Sequence, residues 1–170
     1  MSNVAVPEKV REVGKIVTSL TVANRADQVR AAAGDIPMDR VRTVTLDAVI
    51  VDTGATTLSL PADVIARLGL ALRREVATLT AIGPSTARLY QDAALTLLGR
   101  EGTFDVLELP AGMDALLGFV PMEVLGLEPD LHNQRLRLLP EEPGNTYYML
   151  YTLALAGVVT DDEPASVSPD

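Results

Sequence analysis

The stretch Ala48-Val49-Ile50-Val51-Asp52-Thr53-Gly54-Ala55 runs four apolar residues directly into an acid, a hydroxyl and a glycine. An acid at that point leaves a buried strand just as the chain turns. Burial disfavours an ionised carboxylate unless hydrogen bonds or an opposite charge compensate it, so Asp52 needs a reason to be there. Thr53 supplies a second polar group, and Gly54 lets another backbone or a substrate come close. Asp, Thr and Gly are also ordinary turn residues, so the tetrapeptide alone leaves a plain turn and a functional site both open.

Working outward, Val44, Leu46, Ala48 and Ile50 alternate with Thr43, Thr45 and Asp47, which predicts a strand leading into Asp52. Ile16, Thr18, Leu20 and Val22 alternate in the same way and predict an earlier strand between Lys15 and Asn24. The connection Arg25 to Arg40, with Gly34 and Pro37, reads as polar and long. Downstream, Val64, Ile65 and Leu68 have helical spacing between Pro61 and Gly69, so a short helix is expected over Pro61 to Leu68.

Ala71 to Ala81 and Thr86 to Leu98 are strand-like runs around Ile82-Gly83-Pro84-Ser85, a turn cluster that predicts a hairpin. Gly99-Arg100-Glu101-Gly102 then joins Leu95–Leu98 to Phe104–Leu107 in a second hairpin. One or two helical turns are expected over Val120 to Leu125, and a short strand over Arg135 to Leu139. Many short strands and little helix point to a small, closed, all-β architecture.

Composition narrows the function classes. The chain has 170 residues, 48% apolar, 22% charged and 4% aromatic, so a core built from Leu, Val, Ala and Ile is expected. There is no cysteine, which removes disulfides, thiol catalysis and thiolate metal sites and fits a cytoplasmic location. The 23 acids against 14 bases give a net charge of −9, a field that repels phosphate backbones and anionic membrane surfaces, so no nucleic-acid or membrane partner is expected.

His132 stands alone among Asp130, Leu131 and Asn133 and reads as a surface residue, so neither a metal site nor a Ser-His-Asp triad is expected. The two lysines, Lys9 and Lys15, lie far from any glycine-rich helix start, which leaves no support for nucleotide binding, and no cofactor is predicted.

Four segments follow. Residues 1–14 are read as an N-terminal extension without an apolar leader, 15–140 as the folded domain, 141–159 as an apolar C-terminal segment, and 160–170 as an acidic disordered tail. The run Tyr147 to Val159 is about 13 residues, short of the roughly 20 a helix needs to span a bilayer. Packing at a subunit interface and completion of the core both remain open for it.

About 60 residues beyond Asp52, Ala115-Leu116-Leu117-Gly118 again carries an apolar pair into a glycine. An apolar strand, Asp-Thr-Gly-Ala, a hairpin over Thr80 to Tyr90, and Leu116-Leu117-Gly118 before a short helix together resemble the retropepsin-like aspartic proteases, over roughly Lys15 to Leu139. The resemblance implies a small closed β-barrel with one or two short helices, active as a homodimer.

By that resemblance Asp52, Thr53 and Gly54 are the catalytic residues, the hairpin is a flap that closes over an extended polypeptide, and Ala55, Thr56, Ile82, Gly83 and Leu117 contact substrate. An ordinary exposed turn is the alternative for the hairpin tip. Two carboxylates share one proton in this chemistry, because like charges about 3 Å apart cannot both ionise. The chain has no second Asp-Ser/Thr-Gly, so the second aspartate is expected from another copy, with paired titration and activity favouring acid pH.

This sequence departs from many viral members at Thr56-Thr57 and at Phe119, where those members place an acid and an arginine that interact. A non-catalytic dimeric module that holds a peptide or protein in the same groove is the competing reading.

Overall fold

The computed structural model describes residues 15–80 and 83–140. The N-terminal extension, the apolar segment and tail beyond residue 140, and Ile82 at the hairpin tip lie outside the described residues. The fold is mainly β with three short α-helices.

Strand β1 (Val17–Asn24) turns Leu20 and Val22 into the core and pairs antiparallel with β2 (Thr43–Val51), Val22 lying opposite Val44. Next come β3 (Leu58–Pro61), β4 (Ala71–Thr80), β5 (Gly83–Leu97), β6 (Arg100–Leu109) and β7 (Leu116–Leu117). The hydrogen-bonded order is β1-β2-β7-β3-β6-β5-β4, and β1 pairs again with β5, so six strands form a ring and β4 is left as the outer edge. β2 with β7 and β3 with β6 are parallel pairs inside this otherwise antiparallel ring. Its interior is aliphatic: Val22, Val49, Leu58, Leu60, Leu95, Val106 and Leu117 are fully buried, and Phe104 is the one aromatic in the buried core among the described residues.

Helix α2 (Ala62–Leu68) follows Pro61 and stops at Gly69, close to the expected bounds. Gly69 has a φ of +58°, the left-handed region that favours glycine at a helix end. Helix α3 (Phe119–Leu125) fills the place where helical turns were expected.

The structure departs from the sequence reading at four places. The connection after β1 holds a helix, α1 (Arg25–Ala32), and a 3-10 turn over Met38–Arg40. It lacks the apolar stripe that announces a helix, since Asp27 is its buried residue and Val29 is exposed. The first hairpin turn is tighter than Ile82–Ser85, because Gly83, Pro84 and Ser85 are strand residues opposite Thr80, Leu79 and Thr78. The second hairpin turns at Leu98-Gly99, both with positive φ, so Arg100–Gly102 belong to β6. Finally, β8 (Leu127–Asp130) pairs with β9 (Arg135–Leu138) in a separate ribbon; Pro129 had hidden β8 from any alternating pattern.

One buried polar cluster ties these connections together. Asn24 caps α1 by accepting from the Asp27 amide at 3.1 Å, and its own amide donates to the carbonyls of Leu68 and Gly69 at the end of α2. Asp27 receives Nε and Nη2 of Arg42 at 2.6 and 2.9 Å, a two-pronged pair. These hydrogen bonds, with the Arg42 amide and charge, hold the Asp27 carboxyl at about 2 against the cost of its burial.

The sign of the linkage follows. A carboxylate held below its ordinary value of 3.8 adds stability that is present above about pH 4 and disappears as pH falls toward 2. Arg42 is 47% exposed, so solvent screening reduces the contribution to about 1–2 kcal/mol. Asp27→Asn should therefore lower the urea-derived stability by that amount at pH 7, with the gap to wild type closing between pH 4 and 2. A gap that stays constant across that range would contradict this assignment.

Candidate active site

The strand that delivers Asp52 is gripped from both sides. The Val51 amide donates to Ile16 O at 2.9 Å, while the amides of Ile50 and Asp52 donate to Ala115 O and Leu117 O at 2.9 and 3.0 Å. Asp52 is thus fixed where β2 ends beside β7, half-buried at the surface of the core. Its Oδ1 accepts the Gly54 amide at 2.9 Å, and its carbonyl accepts the Ala55 amide at 3.1 Å. The side chain closes its own turn, which fixes its direction.

The rest of the loop is held by α3. Its first amides, those of Phe119 and Val120, donate to Ala55 O at 2.9 Å and Thr56 O at 3.0 Å. A helix start normally takes a side-chain cap for these donors; here Gly118 stands at the cap position and the loop carbonyls take over. Gly118 is buried, and a Cβ on it would lie 2.4 Å from Thr57 O, 2.6 Å from Ala55 O and 2.7 Å from Thr57 N. Its φ of −82° suits any residue, so space is what demands glycine here.

Two further side chains complete the frame. The Thr57 hydroxyl donates to Asp105 O at 2.8 Å. Behind α3, Arg100 caps the other end, donating to Leu125 O, Gly126 O and Leu139 O at 2.6 to 2.9 Å.

The expected site residues fall as follows. Asp52, Thr53, Gly54, Ala55 and Thr56 form one loop, in which Thr53, Gly54 and Thr56 are exposed and Ala55 is half-buried. Leu117 joins them through its carbonyl, while its side chain is fully buried in the core. Gly83, φ +123°, sits at the far end of the β4–β5 hairpin, where its carbonyl accepts the Thr80 hydroxyl at 2.9 Å. It is not part of the hydrogen-bonded cluster around Asp52.

His132 is exposed in the β8–β9 turn. Asp105 and Asp114 face Arg73 and Lys15. Among the described residues no cluster of His, Cys, Asp and Glu could hold a metal ion, and no helix is long and apolar enough to cross a membrane.

Sequence reasoning missed Thr57 and Asp105 as site residues and undervalued Gly118. For Gly118 a signal existed, since a glycine straight after a buried apolar pair marks close backbone approach. The Thr57 bond runs to a backbone carbonyl and leaves no trace in side-chain identity.

Because the atoms facing Gly118 are backbone atoms that cannot swing aside, Gly118→Ala should displace the Asp52 loop. A loss of about 2–4 kcal/mol in urea unfolding is expected, typical of overpacking at a rigid site. Wild-type stability in this variant would contradict the described packing.

Residues 47–120 match the family model described as aspartyl protease, and no curated protein matches the chain. The matched span holds Asp52, the β4–β5 hairpin and Leu117-Gly118. Over Asp47 to Val120 the chain is thus similar to the aspartyl protease family.

Proposed function

We propose that the protein is an aspartic endopeptidase acting on extended polypeptides in the cytoplasm, as a two-fold homodimer that joins one Asp52 from each copy. The observation that carries this reading is the intact Asp52-Thr53-Gly54-Ala55 loop, with Asp52 half-buried and the backbone locked by hydrogen bonds to Leu117 and Phe119 within the family-matched span. A dyad of shared-proton carboxylates needs two such loops, and this chain supplies one Asp-Thr-Gly. The ring of strands is read as the small barrel of this protease type.

In this reading one Asp52 is ionised and its partner protonated. The ionised carboxylate takes a proton from a water held between the two, and the water oxygen attacks the scissile carbonyl carbon. The protonated carboxyl gives its proton to the carbonyl oxygen. The carboxyl that took the water's proton then gives it to the leaving nitrogen, and the other carboxylate takes a proton from one hydroxyl of the tetrahedral diol. The C–N bond breaks to release acid and amine with one Asp52 again protonated; no covalent enzyme intermediate forms. The Gly54 amide on Oδ1 aims the carboxylate, and Thr53, exposed beside it, bonds across the two-fold axis. Neither metal nor cofactor is required.

The flap supports a strand-addition mode of binding. β4 is the free edge of the sheet, and a polypeptide laid in the groove would take up backbone hydrogen bonds there. Thr56 and Thr57 leave this part of the groove uncharged, and the aliphatic composition favours apolar side chains around the cut.

A peptide-library digest at several pH values distinguishes the enzyme from a non-catalytic binding module on the same fold. Wild type should cleave best at acid pH. Asp52→Asn should keep its fold and assembly while losing activity by about a thousandfold or more. Equal behaviour of the two proteins would overturn the protease reading.

A further inference from the structure

The β4–β5 hairpin leaves the ring at a definite line. β5 pairs with β6 from Leu97 opposite Arg100 to Leu89 opposite Leu107; nearer the tip, β5 pairs with β4 alone. A two-stranded ribbon is marginal by itself, so its angle depends on what holds its root.

Two carboxylates on β6 grip that root on both strands. The Asp105 carboxylate meets Arg73 of β4, beside the register irregularity between Leu72 and Arg74. Glu108, 21% exposed, accepts the Tyr90 hydroxyl of β5 at 2.7 Å on one oxygen and faces Nη1 of Arg88 at 3.5 Å with the other. The Tyr90 ring packs against the core, which makes its hydroxyl a fixed donor. The Asp105 backbone carbonyl is the acceptor for Thr57, the last residue of the Asp52 loop. One strand therefore holds the flap root by side chains and the catalytic loop by its backbone.

We propose that Asp105 and Glu108 are positioning residues that set the resting angle of the flap relative to the Asp52 loop. They touch no reacting atom; they act through Arg73, Arg88 and Tyr90. The claim about kinetics rests on the protease reading, whereas the claim about flap order does not. Ion pairs this exposed are individually weak, so the effect of losing one is modest and becomes visible because the ribbon has little else to hold it.

The experiment is hydrogen exchange on the full chain, comparing wild type with Asp105→Asn, Glu108→Gln and Tyr90→Phe, alongside peptide kinetics. Amides of residues 74–80, 83 and 85–88 should exchange about two- to fivefold faster in each variant, while those of β1 and β2 keep wild-type protection. KM should rise by a similar factor with kcat little changed, and the exchanged pair Arg73→Asp with Asp105→Arg should restore protection. Unchanged flap exchange in both Asp105→Asn and Glu108→Gln would overturn the proposal. Faster exchange in the variants, together with a wild type that cleaves no peptide, would overturn the protease reading and leave the clasp standing.

Discussion

Within five residues of the end of β2, the backbone of the Asp52 loop is stitched to β7 and the start of α3: Asp52 donates to Leu117, and Ala55 and Thr56 accept from Phe119 and Val120. Everything that makes this carboxylate useful depends on that stitching. An exposed loop with glycine at its centre would otherwise sample many conformations, and the shared-carboxylate centre proposed above would tolerate little such freedom. The crossing works because Gly118 has no side chain, which brings two backbones into contact at a point where any Cβ would collide with the loop.

That close approach has to be supported from behind, and the ring of strands does so. β7 is two residues long, yet it lies between β2 and β3, so a very short segment inherits rigidity from two longer neighbours. α3 is fixed at one end by the loop carbonyls and at the other by Arg100, whose guanidinium takes up carbonyls that the helix leaves open. The Asn24, Asp27 and Arg42 cluster joins α1, α2 and the residue before β2. The apolar interior supplies the bulk of the cohesion, and these polar clusters decide which elements face one another.

Much of this was readable in the residues because burial leaves a period. β1, β2 and α2 face the core on one side and show it as alternation or helical spacing; Asp52-Thr53-Gly54-Ala55 announced itself by following an apolar strand. What stayed hidden has its energy elsewhere. α1 is held by a cap and a charge pair whose partners are 15 residues apart, and nothing in Arg25–Ala32 alone shows that Arg42 will arrive. β8 contains a proline and half-buried charges. Leu117 was expected to contact substrate; its side chain is buried in the core, and what it gives the Asp52 loop is its carbonyl, a group that every residue has. Thr57 and Asp105 escaped for the same reason.

The central claim is that the active centre is divided between two copies. The most direct measurement mixes wild type with an equal amount of Asp52→Asn under conditions that let subunits exchange. Random pairing with inactive mixed dimers predicts that activity per wild-type chain falls to about half of its unmixed value. Activity that does not change on mixing, at concentrations where both proteins exchange freely, would contradict a shared centre.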